Sequence, residues 1–100
     1  MSLSSIFTEL HRNAARTGQD RAQELRGGAR LAVRVQAGVV TLTISRAVKK
    51  LSSTEIEVFK RDCGVPPTAV RYPAEGQGTK QFADAPHHFV AFRWREDGSG

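Results

Sequence analysis

The sequence is poor in the residues that staple or anchor a chain. It has one cysteine, one tryptophan, one tyrosine and four prolines among 100 residues. A lone cysteine makes no internal disulfide, which excludes a disulfide-dense secreted scaffold and leads us to expect a reducing, cytoplasmic setting. No apolar run approaches the roughly 20 residues that cross a bilayer, and the first residues lack the charged-then-apolar layout of a signal peptide. We therefore expect a soluble protein with no membrane partner. Hydrophobic residues at 39% and charged residues at 25% sit near globular averages, which excludes a disordered or collagen-like chain. The length suits one domain, expected over residues 1–95, with residues 96–100 as a flexible tail.

Fifteen Lys plus Arg against ten Asp plus Glu give a net charge of +5. Ordinary soluble domains carry about 2 to 8 charges in magnitude, so the value alone selects no partner. Residues 1–36 hold six Arg against three acids, residues 37–63 hold five basic against three acidic residues, and residues 64–100 hold four against four. The excess lies in the first two thirds. Eleven of the fifteen basic residues are Arg, whose planar fork suits phosphate and carboxylate contacts, although a compositional bias of the genome produces the same surplus.

The apolar spacing of Phe7, Leu10, Ala14, Gly18, Ala22 and Leu25 predicts an amphipathic helix over residues 5–26, capped by Ser4 or Ser5 and stopped at Gly27-Gly28. Residues 29–46 alternate with period two around Ala37-Gly38, which predicts a hairpin. Matching apolar faces pairs Val35 with Val40, Val33 with Leu42 and Leu31 with Ile44; a three-residue loop loses that match. Ser52 and Glu55 form a capping box, Leu51 and Ile56 a hydrophobic staple, and Gly64 followed by Pro66-Pro67 ends the second helix. Residues 70–72 predict a short strand limited by Pro73, residues 74–86 a polar loop, and residues 87–95 a further strand. The expected fold is α+β in two layers: a three- or four-stranded antiparallel sheet with two helices on one face, in the order α-β-β-α-(β)-β.

Few residues stand in patterns that carry chemistry. His87 and His88 are adjacent on a strand, so they point to opposite faces and cannot share a metal ion; no metal or cofactor is expected. Cys63 falls on the apolar stripe at a helix C-terminus, the wrong end for a thiolate, and is expected in the core. Residues 75–80 contain glycines, Thr79 and Lys80 but not the spacing of a phosphate loop. A small ribonuclease or toxin would use His87 or His88 as general acid or base, with Arg71, Tyr72 and Arg93 as residue types that transfer protons or hold phosphate, yet no spacing selects that chemistry.

The open sheet face is the most informative surface. If Val90, Phe92 and Trp94 point inward, then Phe89, Arg93 and Arg95 point outward beside Arg30 and Arg34. Arg46, Lys49 and Lys50 add a basic connection before the second helix. An aromatic among arginines stacks bases and neutralises phosphates. We expect a small, non-enzymatic basic binding module that engages nucleic acid through these residues. The alternatives are a protein-interaction or homodimerisation module using the same face, and the ribonuclease. The arginines of the first helix are expected on the far side, dividing the positive charge.

Overall fold

Alternation and turn geometry fix the centre of the sheet. The computed structural model describes residues 2–82 and 85–98 and is α+β. Its elements run α1 (Leu3–Thr17), β1 (Arg21–Glu24), β2 (Ala29–Gln36), β3 (Val39–Ala47), α2 (Ser53–Asp62), β4 (Val70–Tyr72), β5 (Gly78–Gln81) and β6 (Pro86–Arg95). The β2–β3 pairing has the expected register, with Val35 opposite Val40, Val33 opposite Leu42 and Leu31 opposite Ile44. The loop is Ala37-Gly38, both at positive φ (51° and 74°), the type I′ geometry that follows strand twist. Alanine holds a left-handed conformation at about 1–2 kcal/mol. Ala37→Asn is expected to raise the unfolding free energy by about 1 kcal/mol, read as a higher urea midpoint at unchanged slope. An unmoved midpoint would mean that the turn carries no such strain.

The sheet has six strands, not three or four, all antiparallel in the order β1-β2-β3-β6-β4, with β5 also on β6. β4 pairs with residues 91–93 of β6 and β5 with residues 86–89, so the two short strands lie end to end along one edge. The element order is thus α-β-β-β-α-β-β-β.

Two expectations are corrected. The helix predicted over residues 5–26 stops at Thr17, because Gly18 at φ 70° turns left-handed and returns its N–H to the Ala14 carbonyl. Its N-cap is Ser2, whose side chain accepts from the Ser5 N–H, rather than Ser4 or Ser5. Residues 21–24 form edge strand β1, and Gly27-Gly28 serves the β1–β2 turn instead of ending a helix. The loop expected over residues 74–86 contains β5, while residues 83–84 lie outside the described chain.

Ile6, Leu10, Ala14, Leu51, Ile56 and Cys63 join the inward residues of β2, β3 and β6 in one core, with Phe7, Leu25, Phe59 and Trp94 packed partly buried against it. The capping box on α2 is complete, with the Ser52 side chain accepting from the Glu55 N–H and the Glu55 carboxylate from the Ser52 N–H. Glu96 continues β6 by donating its N–H to the Gly38 carbonyl, and its carboxylate lies 3.2 Å from His11. Of the rest of the expected tail, residues 97–98 lie in a turn closed by the Gly98 N–H on the Arg95 carbonyl, and residues 99–100 lie outside the described chain. Among the described residues no helix is long and apolar enough to cross a membrane.

Candidate functional site

Because successive strand residues alternate faces, every outward residue of the sheet can be assigned from its register. One row crosses the strands as Ala22, Ala32, Thr43, Ala91 and Tyr72. The next row is Arg34, Thr41, Arg93 and Val70. On the other side lie Glu24, Arg30, Ser45, Phe89 and Gly78. The row dips on β2, where Ala32 lies between Arg30 and Arg34, and on β6, where Ala91 lies between Phe89 and Arg93, while Thr43 on β3 is no smaller than Thr41 and Ser45 beside it. This makes a shallow trough, bordered by Arg34 and Arg93 on one bank and ended by a tyrosine. It crosses five strands, a span of about 19 Å at about 4.8 Å per strand.

Two hollows lie along this trough. One, of about 640 Å³, is lined by Arg34, Gln36, Ala37, Val39, Thr41, Tyr72, Ala91 and Arg93. The other, of about 300 Å³, is lined by residues including Asp20, Ala22, Arg30, Ala32, Arg34, Thr43, Ser45, Lys80 and Phe82. They share Arg34 and Thr41. The smaller hollow takes Asp20 and Ala22 from one edge of the sheet and Lys80 and Phe82 from the other. The sheet therefore curls over its outward face. Phe82 folds across this end, 4.4 Å from the His87 ring, with the Arg30 guanidinium 5.4 Å from its centroid.

The electrostatics are partly self-compensated. Arg34 donates from Nε and Nη2 to the Asp20 carboxylate at 2.7 and 2.9 Å, a bidentate pair. Those hydrogen bonds hold the Asp20 carboxyl below its ordinary value and raise the Arg34 guanidinium above its own. Arg30 stands 3.9 Å from Glu24. Among the described residues no carboxylate pairs with Arg93 or Arg95, and both are exposed.

The residues singled out from sequence divide into groups. Arg30, Arg34, Phe89, Arg93 and Arg95 share the outward face; Arg95 lies in the row of Gln36 and Val39, which line the larger hollow, but does not line it itself. Phe89 is half-buried, its ring 6.2 Å from Tyr72 and close against Gly78, so Tyr72 is the more accessible aromatic at 63% exposure. Arg46 is committed elsewhere. It donates to Glu55 at 2.6 and 2.9 Å and to the Lys49 and Lys50 carbonyls at 3.0 and 2.6 Å. This clamp ties the connection to the start of α2. Lys49 and Lys50 are exposed in that connection and line neither hollow.

His87 is 6% exposed beneath Phe82, and His88 belongs to the opposite, helix-side set of β6. Burial pushes the Cys63 thiol up to about 12, so it is not ionised at neutral pH. Among the described residues no three His, Cys, Asp or Glu side chains gather closely enough to hold a metal ion.

Sequence reasoning missed Tyr72, Lys80 and Asp20 as lining residues. For Tyr72 a signal existed: Pro73 confines its strand to an edge, where one side of the backbone stays open. For Asp20 and Lys80 none did, because their meeting depends on the curl of the whole sheet. A third hollow, about 720 Å³, is lined by Leu3, Ile6, Leu25, Val58 and Phe59 together with Glu24, Glu55 and Arg26.

A scan against protein-family models and searches of curated proteins and of solved structures find no match to this chain.

Proposed function

We propose that this protein is a non-enzymatic binding module that takes a short single-stranded nucleic acid along the trough of its curled sheet. One observation carries the reading: a floor of small side chains bordered by Arg34 and Arg93 and ended by an exposed tyrosine. Arginines supply phosphate contacts, and the small floor lets a backbone approach the sheet. Duplex readout needs a helix or ribbon that protrudes into a groove, whereas this face is concave. Reach and charge therefore favour a single strand.

Fluorescence anisotropy with a labelled oligonucleotide tests the proposal. With two or three phosphate contacts, affinity is expected to fall about tenfold between 50 and 200 mM salt. Arg93→Ala is expected to weaken binding by about three- to tenfold. Asp20→Asn is expected to strengthen it several-fold, because it removes a negative charge from the trough and frees Arg34 for phosphate. The pair of changes Lys49→Gln and Lys50→Gln should matter only at low salt, where distant charges act. No binding of single-stranded DNA or RNA at low salt would overturn the reading.

A second reading is favoured by the exposure of Val70 (67%) and Tyr72 (63%) on edge strand β4. Such an edge pairs readily with a second copy. That reading predicts a mass in sedimentation that rises with concentration and falls to a monomer in Val70→Lys.

A further inference from the structure

We infer that Tyr72 is a base-stacking platform, so that the trough reads nucleobases as well as phosphates; this rests on the nucleic-acid reading above. Tyr72 ends the row of small side chains opposite Ala91, which is itself buried; both line the larger hollow, and Tyr72 is 63% exposed there. The ring is supported from behind by Phe89, at 6.2 Å between centroids and 32° between planes. Phe89 is in turn held against Gly78, where no side chain intervenes. A platform of this kind is rigid on one side and open on the other, which is what stacking requires.

Charge complements the ring. Arg93 lies one row away on β6, is exposed, and is paired with no carboxylate among the described residues. Arg93 and Tyr72 line the same hollow, so the arginine's guanidinium supplies positive charge for a phosphate adjoining a stacked base. Gln36 and Thr41 line the same hollow and offer donors and acceptors to base edges. The hollow, at about 640 Å³, is within the roughly 300–1,000 Å³ of ordinary ligand sites. The occupant is thus a single strand with at least one unstacked base.

The experiment compares a labelled oligothymidylate with an abasic oligonucleotide of equal length, which keeps the phosphates and lacks the bases. The full chain should bind the oligothymidylate at least about tenfold more tightly, the size of one stacking contact. Tyr72→Phe should keep that preference. Tyr72→Ala should abolish it while leaving the abasic affinity unchanged, with thermal unfolding monitored to show that the variant remains folded. Equal binding of both oligonucleotides by the unaltered protein overturns the platform and leaves the phosphate-binding reading standing. Equal losses on both oligonucleotides in Tyr72→Ala also overturn it, since they mark a structural role. Failure to bind either one at low salt removes both proposals, and a change of sedimenting mass in Tyr72→Ala assigns the ring to self-association.

Discussion

Glu55→Ala is expected to lower the unfolding free energy by about 3 kcal/mol at neutral pH, in urea denaturation. Three losses combine. The Ser52 N–H loses its capping acceptor, Arg46 loses its carboxylate, and the Arg46 side chain, only 12% exposed, keeps its charge with no counter-ion. Glu55→Gln preserves an oxygen for Ser52 but still leaves Arg46 without a counter-ion, so it should cost about 2 kcal/mol, less than Glu55→Ala.

The same carboxyl gives the effect its pH dependence. Hydrogen bonds from Arg46 first, then the Ser52 backbone, hold Glu55 at about 2, below an ordinary value of 4.5. A depressed carboxyl contributes stability that is complete above its unfolded value and disappears as pH falls through its folded one. The gap between the unaltered protein and Glu55→Gln should therefore be widest above about pH 5 and close between about 4.5 and about 2. A gap independent of pH would show that Glu55 acts through packing alone. The clamp also holds Val48, a β-branched residue at φ 67° and 93% exposed, in a turn closed by the Lys49 N–H to the Ala47 carbonyl. Freeing that residue returns part of the loss, so Arg46→Ala should be milder than the sum of its broken bonds.

Gly78→Val is expected to destabilise the protein by about 2–3 kcal/mol, and the reason lies across the strand. A Cβ at residue 78 would stand 2.5 and 2.7 Å from two ring carbons of Phe89, closer than carbon atoms approach. Gly78 is not among the glycines at positive φ, so the effect is one of space and not of backbone conformation. Removing the obstructing ring should therefore rescue the change. Gly78→Ala combined with Phe89→Ala should be at least about 1 kcal/mol more stable than the two single losses added together. Strict additivity would contradict the contact. Because Phe89 supports Tyr72, Gly78→Ala should also alter the larger hollow without touching a residue that lines it.

The elements legible in the sequence are those whose signals are local or doubly determined. The β2–β3 register followed from apolar matching and loop length together, and α2 followed from Ser52, Glu55 and Gly64 within one short segment. β6 showed its two faces by alternation alone. β1 was lost because Ala22 and Leu25 extend the helical spacing past Gly18, and Arg-Ala-Gln-Glu favours a helix by intrinsic propensity. β5 was lost for the opposite reason: Gly78, Thr79, Lys80 and Gln81 bury no apolar face, so no period exists to read.

The site divides in the same way. Parity placed Arg30, Arg34, Phe89, Arg93 and Arg95 on one face, but the commitment of Arg46 to Glu55 depends on how β3 and α2 are juxtaposed. Tyr72 joined the face only through the register of β4 on β6. No local pattern encodes that pairing.

The curl of the sheet has a thermodynamic reach beyond the trough it shapes. Its two rims belong to distant parts of the chain, Asp20 and Ala22 on one side and Lys80 and Phe82 on the other, and β1 and β5 share no backbone ladder. A strand bound as proposed would bridge the first quarter of the polypeptide to the last. Both rims would then open together or not at all, and amide hydrogens along β1 and β5 would slow their exchange in step.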